Sequence, residues 1–178
     1  MIILKTGRLL LKTWEDEEVL AIAPVYEDQE LMKFTLDGSL NYEETKKLIQ
    51  ERQHHQELYG FSVWAMFEKE SGELIGHAGI EYFSEGQDDK HLDVLVKKDF
   101  QGQGFGLEAL KAIVEYAFQE LGMEHLIAFA KPANVRCTRI FEKITMKHKK
   151  ETMLKDEYVS QFEIEKADVK WDIFKYLK

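Results

Sequence analysis

A glycine-rich hexapeptide, Gln101-Gly102-Gln103-Gly104-Phe105-Gly106, carries the clearest chemical signal in the sequence. An apolar run typical of a strand, residues 92–96, precedes it, and a helical pattern follows it. Gly104 and Gly106 lack the Cβ atoms that would keep a ligand away from the main chain, and the free N–H groups of a first helical turn can donate to anionic oxygens. The helix dipole adds attraction for negative charge. The hexapeptide therefore predicts a binding site for phosphate groups.

The spacing of the glycines separates several kinds of phosphate-binding loop. A dinucleotide-binding fingerprint, G-x-G-x-x-G, would need its third glycine where Leu107 stands. A Walker loop needs Gly-Lys-Ser or Gly-Lys-Thr, and neither tripeptide occurs in the sequence. The pattern Gln/Arg-x-x-Gly-x-Gly/Ala fits residues 101–106 without a gap. On these residues the chain resembles the GNAT superfamily of acetyl-coenzyme A dependent N-acetyltransferases.

The sequence around the loop strengthens this resemblance. A strand precedes the loop and a helix follows it, as in the family, and a second strand-like run, residues 126–130, leads to Asn134. Residues 140–146 are similar to the family segment (Y/L)-E-K-x-G-F. The opening, residues 7–12 with Trp14, and the close, residues 171–176, are similar to the branch that contains ribosomal-protein N-terminal acetyltransferases and spermidine acetyltransferases. The resemblance spans nearly the whole chain, so we expect one domain, residues 1–178.

The order of elements and the resemblance together imply the fold. Helices that alternate with strands, with hairpins near both ends, predict an α/β (α+β) fold with a mixed sheet covered by helices on both faces. The resemblance implies a mostly antiparallel sheet of about seven strands. It also implies that the fourth and fifth strands are parallel neighbours that splay apart, and that the pantetheine arm of acetyl-coenzyme A enters between them.

The resemblance assigns coenzyme-binding roles to three segments. The main chain of Val94, Leu95 and Val96 would bind pantetheine and polarise the thioester carbonyl. The hexapeptide would bind the diphosphate, and Asn134 would also lie at the coenzyme. No metal is implied.

Acetyl transfer requires a neutral amine, and three side chains are candidates for its general base. Asp93 and His91 are alternate residues of one predicted strand, so they share a face near the thioester. We expect partial desolvation to raise the pKa of the Asp93 carboxyl toward the working range. Glu81, on the adjoining strand, could act through water. The alternative for all three is an ion-paired or solvated side chain at a sheet end, with ordered water in place of a base.

The leaving thiolate also needs a proton, and here the chain departs from its relatives. Many of them have a tyrosine seven residues after the asparagine, where this sequence has Phe141. The ribosomal-protein branch has a serine three residues after it, where this sequence has Cys137. Because a thiol is a weaker donor than a hydroxyl, either Cys137 and Asn134 together stabilise the thiolate or water does. Cys137 could equally be a small buried core residue.

Composition excludes other classes of function. A formal net charge of −9 argues against a nucleic-acid-binding face, and the positions that flank Gly104-Phe105-Gly106 lack the aromatic and basic residues of an RNA-binding motif. No apolar run is long enough to span a membrane, and residues 1–4 are too short for a signal peptide. The single cysteine indicates a reducing cytoplasm. His54 and His55 point to different sides of a predicted helix and do not form a metal site.

Periodicity and turn chemistry predict the elements that position these groups. Residues 13–16 are expected to cap a first helix that Pro24 kinks or ends. Asn41 and Glu44 cap a second helix that runs to about Leu58. A Gly-containing turn joins two antiparallel strands, and residues 86–89 link them to the strand before the loop. The two strands of this hairpin are residues 61–67 and 74–83. Besides residues 92–96 and 126–130, the other expected strands are residues 8–12, 159–164 and 169–176.

We therefore expect a cytoplasmic N-acetyltransferase in which an amine attacks the thioester directly in a ternary complex. The acceptor could be a protein N-terminus, a polyamine or another small amine, since the fold does not choose among them. The alternative is a non-catalytic coenzyme A binding or regulatory module that has kept the fold and lost the acid. A homodimer is compatible with the family, although no interface is visible in the sequence.

Overall fold

The computed structural model describes residues 1–82 and 89–174, which form an eight-stranded mixed sheet and five α-helices. The strands are β1 (Ile2–Lys5), β2 (Leu9–Lys12), β3 (Val63–Glu68), β4 (Leu74–Tyr82), β5 (Lys90–Val96), β6 (His125–Ala130), β7 (Lys147–Leu154) and β8 (Glu157–Glu165). The helices are α1 (Glu18–Glu27), α2 (Gln29–Met32), α3 (Tyr42–Tyr59), α4 (Phe105–Gln119) and α5 (Val135–Lys143). The strand order is β1-β2-β3-β4-β5-β6-β8-β7.

One parallel pair interrupts an otherwise antiparallel sheet, as predicted. β5 lies parallel to β6, and within the described residues the two strands pair at only two positions, His91 with Ile127 and Leu92 with Ala128. β5 then continues alongside β4 as far as Val96. An opening therefore lies between β5 and β6 beyond Leu92.

Two apolar cores cover the two faces of the sheet. The larger core packs α4 and α5 on one face and includes Leu92, Leu110 and Phe141. The second core packs α1 to α3 on the other face and includes Ile22 and Leu95. Leu92 and Leu95 thus face opposite sides, and the predicted helical layers on both faces of the sheet are confirmed.

Local sequence signals position α3. Asn41 Oδ1 accepts from the Glu44 N–H at 3.0 Å, and Glu44 Oε2 accepts from the Asn41 N–H at 2.8 Å. This reciprocal capping fixes the first turn of the helix. Gly60, with φ at 77°, ends it. The predicted bounds of α3 are confirmed.

The first helix begins later than predicted. Residues 13–16 do not cap it, because Trp14 is buried and its Nε1–H donates to the Val63 carbonyl at 2.8 Å, which holds this segment against β3. α1 begins at Glu18 instead and continues through Pro24 to Glu27. The carbonyl that Pro24 leaves without a helical donor belongs to Leu20, which is exposed.

The predicted strand at residues 169–176 is wrong. The described residues form short 3₁₀ turns there, Lys166–Asp168 and Trp171–Phe174. Val169 is buried, and the Trp171 ring packs on Phe118 of α4 at 6.5 Å, so these apolar residues cover α4 instead of alternating along a strand. Within the described residues, β1 and β7 are strands that the expected set did not include. The predicted residues 83, 86–88, 175 and 176 lie outside the described ones.

None of the helices in the described part of the chain has the length and apolar character needed to cross a membrane. No group of three or more His, Cys, Asp or Glu side chains among residues 1–82 and 89–174 could hold a metal ion.

Candidate functional site

The glycine loop joins the end of β5 to the start of α4. Gly102 and Gly104 have φ angles of 77° and 86°, in the left-handed region that glycine tolerates, and Gly104 is the N-cap of α4. No side chain of the described part of the chain caps this helix end. Among the described residues, no main-chain acceptor is found for the N–H groups of residues 104–107. The loop thus presents a row of main-chain donors at a helix N-terminus, the arrangement that suits a diphosphate.

The edge of β5 that faces β6 also offers main-chain groups. The Lys97 N–H donates to Ile75 of β4 at 2.8 Å, and Leu95 is paired with β4 in the same register. Because alternate residues of a strand direct their main-chain groups to opposite sides, those of Val94 and Val96 point toward β6. They suit an extended ligand arm. Leu95 instead directs its main chain to β4 and its side chain into the second core.

Gln101 and Gly106 bring the loop close to both walls of the opening. The Gln101 side-chain amide donates to the Val96 carbonyl at 2.9 Å, and its Oε1 accepts from Arg136 in the first turn of α5. A Cβ added at Gly106 would lie 3.3 Å from Ile140 Cδ1 and 3.5 Å from Val96 Cγ2. The loop, the end of β5 and α5 therefore surround one opening.

On the α1–α3 side of β5, four side chains form a closed ring of hydrogen bonds. Asp93 Oδ2 lies 2.9 Å from Arg52 Nη2 and 3.0 Å from His77 Nε2. The Tyr26 hydroxyl lies 2.9 Å from Arg52 Nη1 and 2.6 Å from His77 Nδ1. Because a guanidinium can only donate, Tyr26 accepts from Arg52 and donates its own hydrogen to His77 Nδ1. His77 then carries its hydrogen on Nε2 and donates it to Asp93.

This ring reverses the pKa expected for Asp93. Burial alone would raise the pKa of its carboxyl, but the imidazole of His77 and the charge of Arg52 outweigh it and hold the pKa well below the usual range. The expectation of a raised pKa was wrong because it did not include these partners. An ionised carboxylate with so low a pKa is a weak base. Its side chain is 32% exposed, so it can still accept a hydrogen bond from a ligand.

The other ring members are held neutral or permanently charged. Burial and the charge of Arg52 lower the pKa of His77, so its imidazole is neutral at neutral pH. Burial raises the pKa of Tyr26 to about 12. Arg52 is 4% exposed, and the Asp93 carboxylate offsets its charge.

His91 and Glu81 form a second pair on adjoining strands, with His91 Nε2 3.3 Å from Glu81 Oε1. Burial alone would lower the pKa of His91, but the Glu81 carboxylate outweighs it and raises that pKa. Burial alone would raise the pKa of Glu81, but the hydrogen bond from His91 and the charge of Arg52 lower it. Each group thus stabilises the charged form of the other.

The candidates for the acid lie at the start of α5. Asn134 is the N-cap of this helix, and its Oδ1 accepts from the Cys137 N–H at 3.2 Å. Cys137 is half-buried, and burial together with the Asp93 charge raises the pKa of its thiol to about 12. Phe141 lies in the larger core, where its ring packs on Phe162 at 5.4 Å. The position of the family tyrosine is therefore a packing position here.

Sequence reasoning did not identify Tyr26, Arg52 or His77 as residues of the site. One signal was available for Arg52. Thr45, Ile49 and Arg52 are spaced at the helical period, and all three are buried on the inner side of α3. A charged residue on the apolar face of a helix predicts a buried partner. The partner, Asp93, lies on a different element and could not be identified from spacing.

A family model for the acetyltransferase (GNAT) domain matches residues 8–147. A curated relative, the uncharacterized N-acetyltransferase YnaD of Bacillus subtilis, is 26% identical over 143 residues, which cover 80% of this chain and 81% of the relative.

Solved structures share the fold. An acetyltransferase of the GNAT family from Bacillus anthracis has a TM-score of 0.80 at 21% identity, covering 93% of this chain and 98% of that one. The spermidine N-acetyltransferase from Vibrio cholerae, solved with coenzyme A and spermine, has a TM-score of 0.75 at 13% identity. In that comparison 90% of this chain and 96% of the other are covered.

Proposed function

The chain belongs to the GNAT acetyltransferase family, and on that basis we propose that it is an acetyl-coenzyme A dependent N-acetyltransferase that acts on a primary amine. The amine nitrogen would attack the thioester carbonyl carbon, an amide would form, and the C–S bond would break to release coenzyme A. The observation that carries the proposal is the juxtaposition of the glycine loop, with its row of N–H donors, and the open edge of β5.

Donor binding is the role of the main chain in this proposal. The amides of the hexapeptide would hold the diphosphate, and Val94 and Val96 would pair with the pantetheine arm. A main-chain N–H at that edge could also donate to the thioester oxygen as it gains negative charge. These roles depend on backbone geometry, so the side chains at 94 and 96 need only be small enough to leave the opening clear.

We assign removal of the amine proton to water. Asp93 and Glu81 have lowered pKa values and are weak bases, and His91 accepts a proton only above its raised pKa. Asp93 fits another role, because its partly exposed carboxylate can accept a hydrogen bond from the attacking amine and orient it. The ring formed with Arg52 and His77 would hold that carboxylate in place.

Protonation of the leaving thiolate is also assigned to water. A thiol whose pKa is about 12 cannot readily give its proton to the leaving thiolate, because the thiol formed from that thiolate has a pKa of about 8.5. Cys137 and Asn134 can still contribute polar contacts at the start of α5.

The acceptor in this proposal is a protein N-terminus or a small amine such as a polyamine. The chain ends resemble the ribosomal-protein branch, which supports the first class. The likeness to the spermine-bound structure is one of fold, and Phe141 in the core argues against an enzyme that depends on the family tyrosine.

The experiment starts with calorimetric titration of coenzyme A into the folded protein. Wild type should bind, and Gly104→Glu should not, because its side chain and charge would occupy the diphosphate position. Gly72→Glu is a matched control. Gly72 also has a positive φ, 71°, with open space around it, and it lies in the β3–β4 turn. Equal binding by wild type and Gly104→Glu, or no binding by wild type, contradicts the proposal.

Turnover separates the enzyme from the non-catalytic alternative. Thiol release from acetyl-coenzyme A is measured over a panel of peptides with free N-termini, polyamines and small amines. Release with one acceptor class supports the enzyme and identifies the class. Tight coenzyme binding with no release on any acceptor favours the binding module, which Phe141 and the weakly acidic Cys137 motivate.

A further inference from the structure

Among the described residues, the polar contacts of the Arg8 side chain are with the glycine loop and the first turn of α4. Its Nε and Nη2 each lie 2.7 Å from Glu108 Oε2, and its Nη1 donates to the Gln103 carbonyl at 3.0 Å. Its guanidinium stacks over the Phe105 ring with Cζ 4.3 Å from the centroid. Arg8 immediately precedes β2 and lies 95 residues before Gln103. In the strand order, β2 and β6 lie on opposite sides of β5.

Glu108 fixes Arg8 from within α4. Its Oε1 accepts from the Thr6 hydroxyl at 2.5 Å and from the Arg8 N–H at 2.8 Å. Burial alone would raise the pKa of Glu108, but these donors and the Arg8 guanidinium outweigh it and lower the pKa. The β1–β2 turn and the head of α4 are therefore joined through one charged, hydrogen-bonded pair, which holds the partly exposed Arg8 guanidinium beside the Gln103 carbonyl.

The contact with Gln103 determines where the next N–H points. The peptide bond between Gln103 and Gly104 is trans, so its C=O and N–H point in opposite directions. Because Arg8 holds the Gln103 carbonyl, the Gly104 N–H must point away from Arg8. Gly104 has no Cβ to oppose other orientations of this peptide, so the loop itself does not impose the direction.

We propose that Arg8 is a positioning residue for coenzyme binding, which holds the Gln103–Gly104 peptide so that its N–H faces the diphosphate. The inference rests on the proposed function. Arg8 acts through orientation and not through net attraction, because the Glu108 carboxylate beside it neutralises its charge. A lysine could not replace it, since an ammonium lacks the planar fork that reaches Glu108 and Gln103 together.

The test compares coenzyme A affinity in wild type, Arg8→Met, Arg8→Lys and Lys12→Met. Both Arg8 variants should bind about 10- to 100-fold more weakly, the effect of one charge-assisted hydrogen bond. Lys12→Met is the matched control. It also removes a cation stacked on a phenyl ring of β3, with Nζ 4.0 Å from the Phe67 centroid, and it leaves the loop untouched. It should bind within twofold of wild type.

Backbone order parameters from NMR, together with hydrogen exchange, distinguish a loop effect from general loss of structure. In the Arg8 variants the N–H order parameters of residues 102–106 should fall, while the amides late in α4 stay protected from exchange. Faster exchange throughout β2 and α4, Arg8→Lys affinity equal to wild type, or Arg8→Met affinity within threefold of wild type would overturn the inference. If Arg8→Met does not fold, Arg8→Lys alone decides. Failure of wild type to bind coenzyme A would refute the proposed function, and the order parameters of residues 102–106 would still report whether Arg8 orders the loop.

Discussion

Arg52 on α3 and Asp93 on β5 lie 41 residues apart and form a 2.9 Å ion pair beside the opening between β5 and β6. Arg52 is almost fully buried, whereas Asp93 remains partly exposed. The pair joins the helical layer that contains α3 to the strand edge that would bind the donor. It therefore links the stability of the fold to the geometry of the proposed site.

Replacing Arg52 by methionine should lower the free energy of unfolding by an amount near the lower end of about 3–5 kcal/mol. The buried pair loses its cation, but Asp93 keeps its hydrogen bond from His77 and its partial exposure to solvent. Urea unfolding monitored by tryptophan fluorescence measures the change. Lys47→Met is the control, since Lys47 and Glu51 form an exposed pair at 3.6 Å that should contribute less than about 1 kcal/mol. Equal losses in the two variants would contradict a structural role for the ring.

His77 and His91 should titrate on opposite sides of the ordinary histidine pKa of about 6.5. The pKa of His77 is lowered, so its contribution to stability is present above about pH 6.5 and is lost as the pH falls through the folded pKa. The pKa of His91 is raised, so its contribution is present below about pH 6.5 and is lost as the pH rises through the folded pKa. Nitrogen-15 NMR titration, with His77→Gln and His91→Gln for assignment, measures both. The reverse order would refute the contacts described.

Replacing Thr145 by glycine should stabilise the protein by about 1 kcal/mol. Thr145 follows α5 with φ at 68°, and its buried Oγ1 has no hydrogen-bond partner among the described residues. Glycine removes about 1–2 kcal/mol of strain, because it adopts the left-handed conformation without a steric cost. Part of this stabilisation is lost because glycine also makes the unfolded chain more flexible. Thermal unfolding measures the change. Thr152→Gly, at an extended position of β7, should instead be destabilising. A loss of stability in Thr145→Gly would count against the strain.

Cys137 should react slowly with a disulfide reagent in the folded protein. A thiol with a pKa of about 12 has about a thousandfold less thiolate at pH 8 than a free cysteine, so we expect a rate at least about 100-fold below that of the unfolded chain. Spectrophotometric thiol titration with and without guanidinium compares the two rates. A folded-state rate near the unfolded one would mean that the thiol is far more acidic than this, and would restore Cys137 as a candidate proton donor.

The parts of the structure that could be predicted from the sequence are those determined by residues that are close together along the chain. The hexapeptide, the capping residues Asn41 and Glu44, and the left-handed Gly60 each act within one or two turns of chain, and each has the predicted conformation. The parallel pair was predictable only through the resemblance, because spacing does not state which strands become neighbours.

The parts that could not be predicted depend on contacts between distant elements. Asp93 was identified as a candidate, but its pKa is set by Arg52 and His77, which come from α3 and β4. Trp14 carried no signal that it would anchor a segment to β3 in place of a cap. Val169 and Trp171 belonged to a predicted strand, but the Trp171 ring packs on Phe118 of α4 instead.

Because β5 and β6 pair over so few residues, the sheet has a gap between these two strands, which we call the seam. Two residue pairs join β1–β5 to β6–β8 within the described chain, and α4 and α5 span the remainder. An extended molecule seated in the seam would hydrogen-bond like an additional short strand. A donor bound there would be a temporary part of the scaffold, and its departure after each turnover would reopen the sheet.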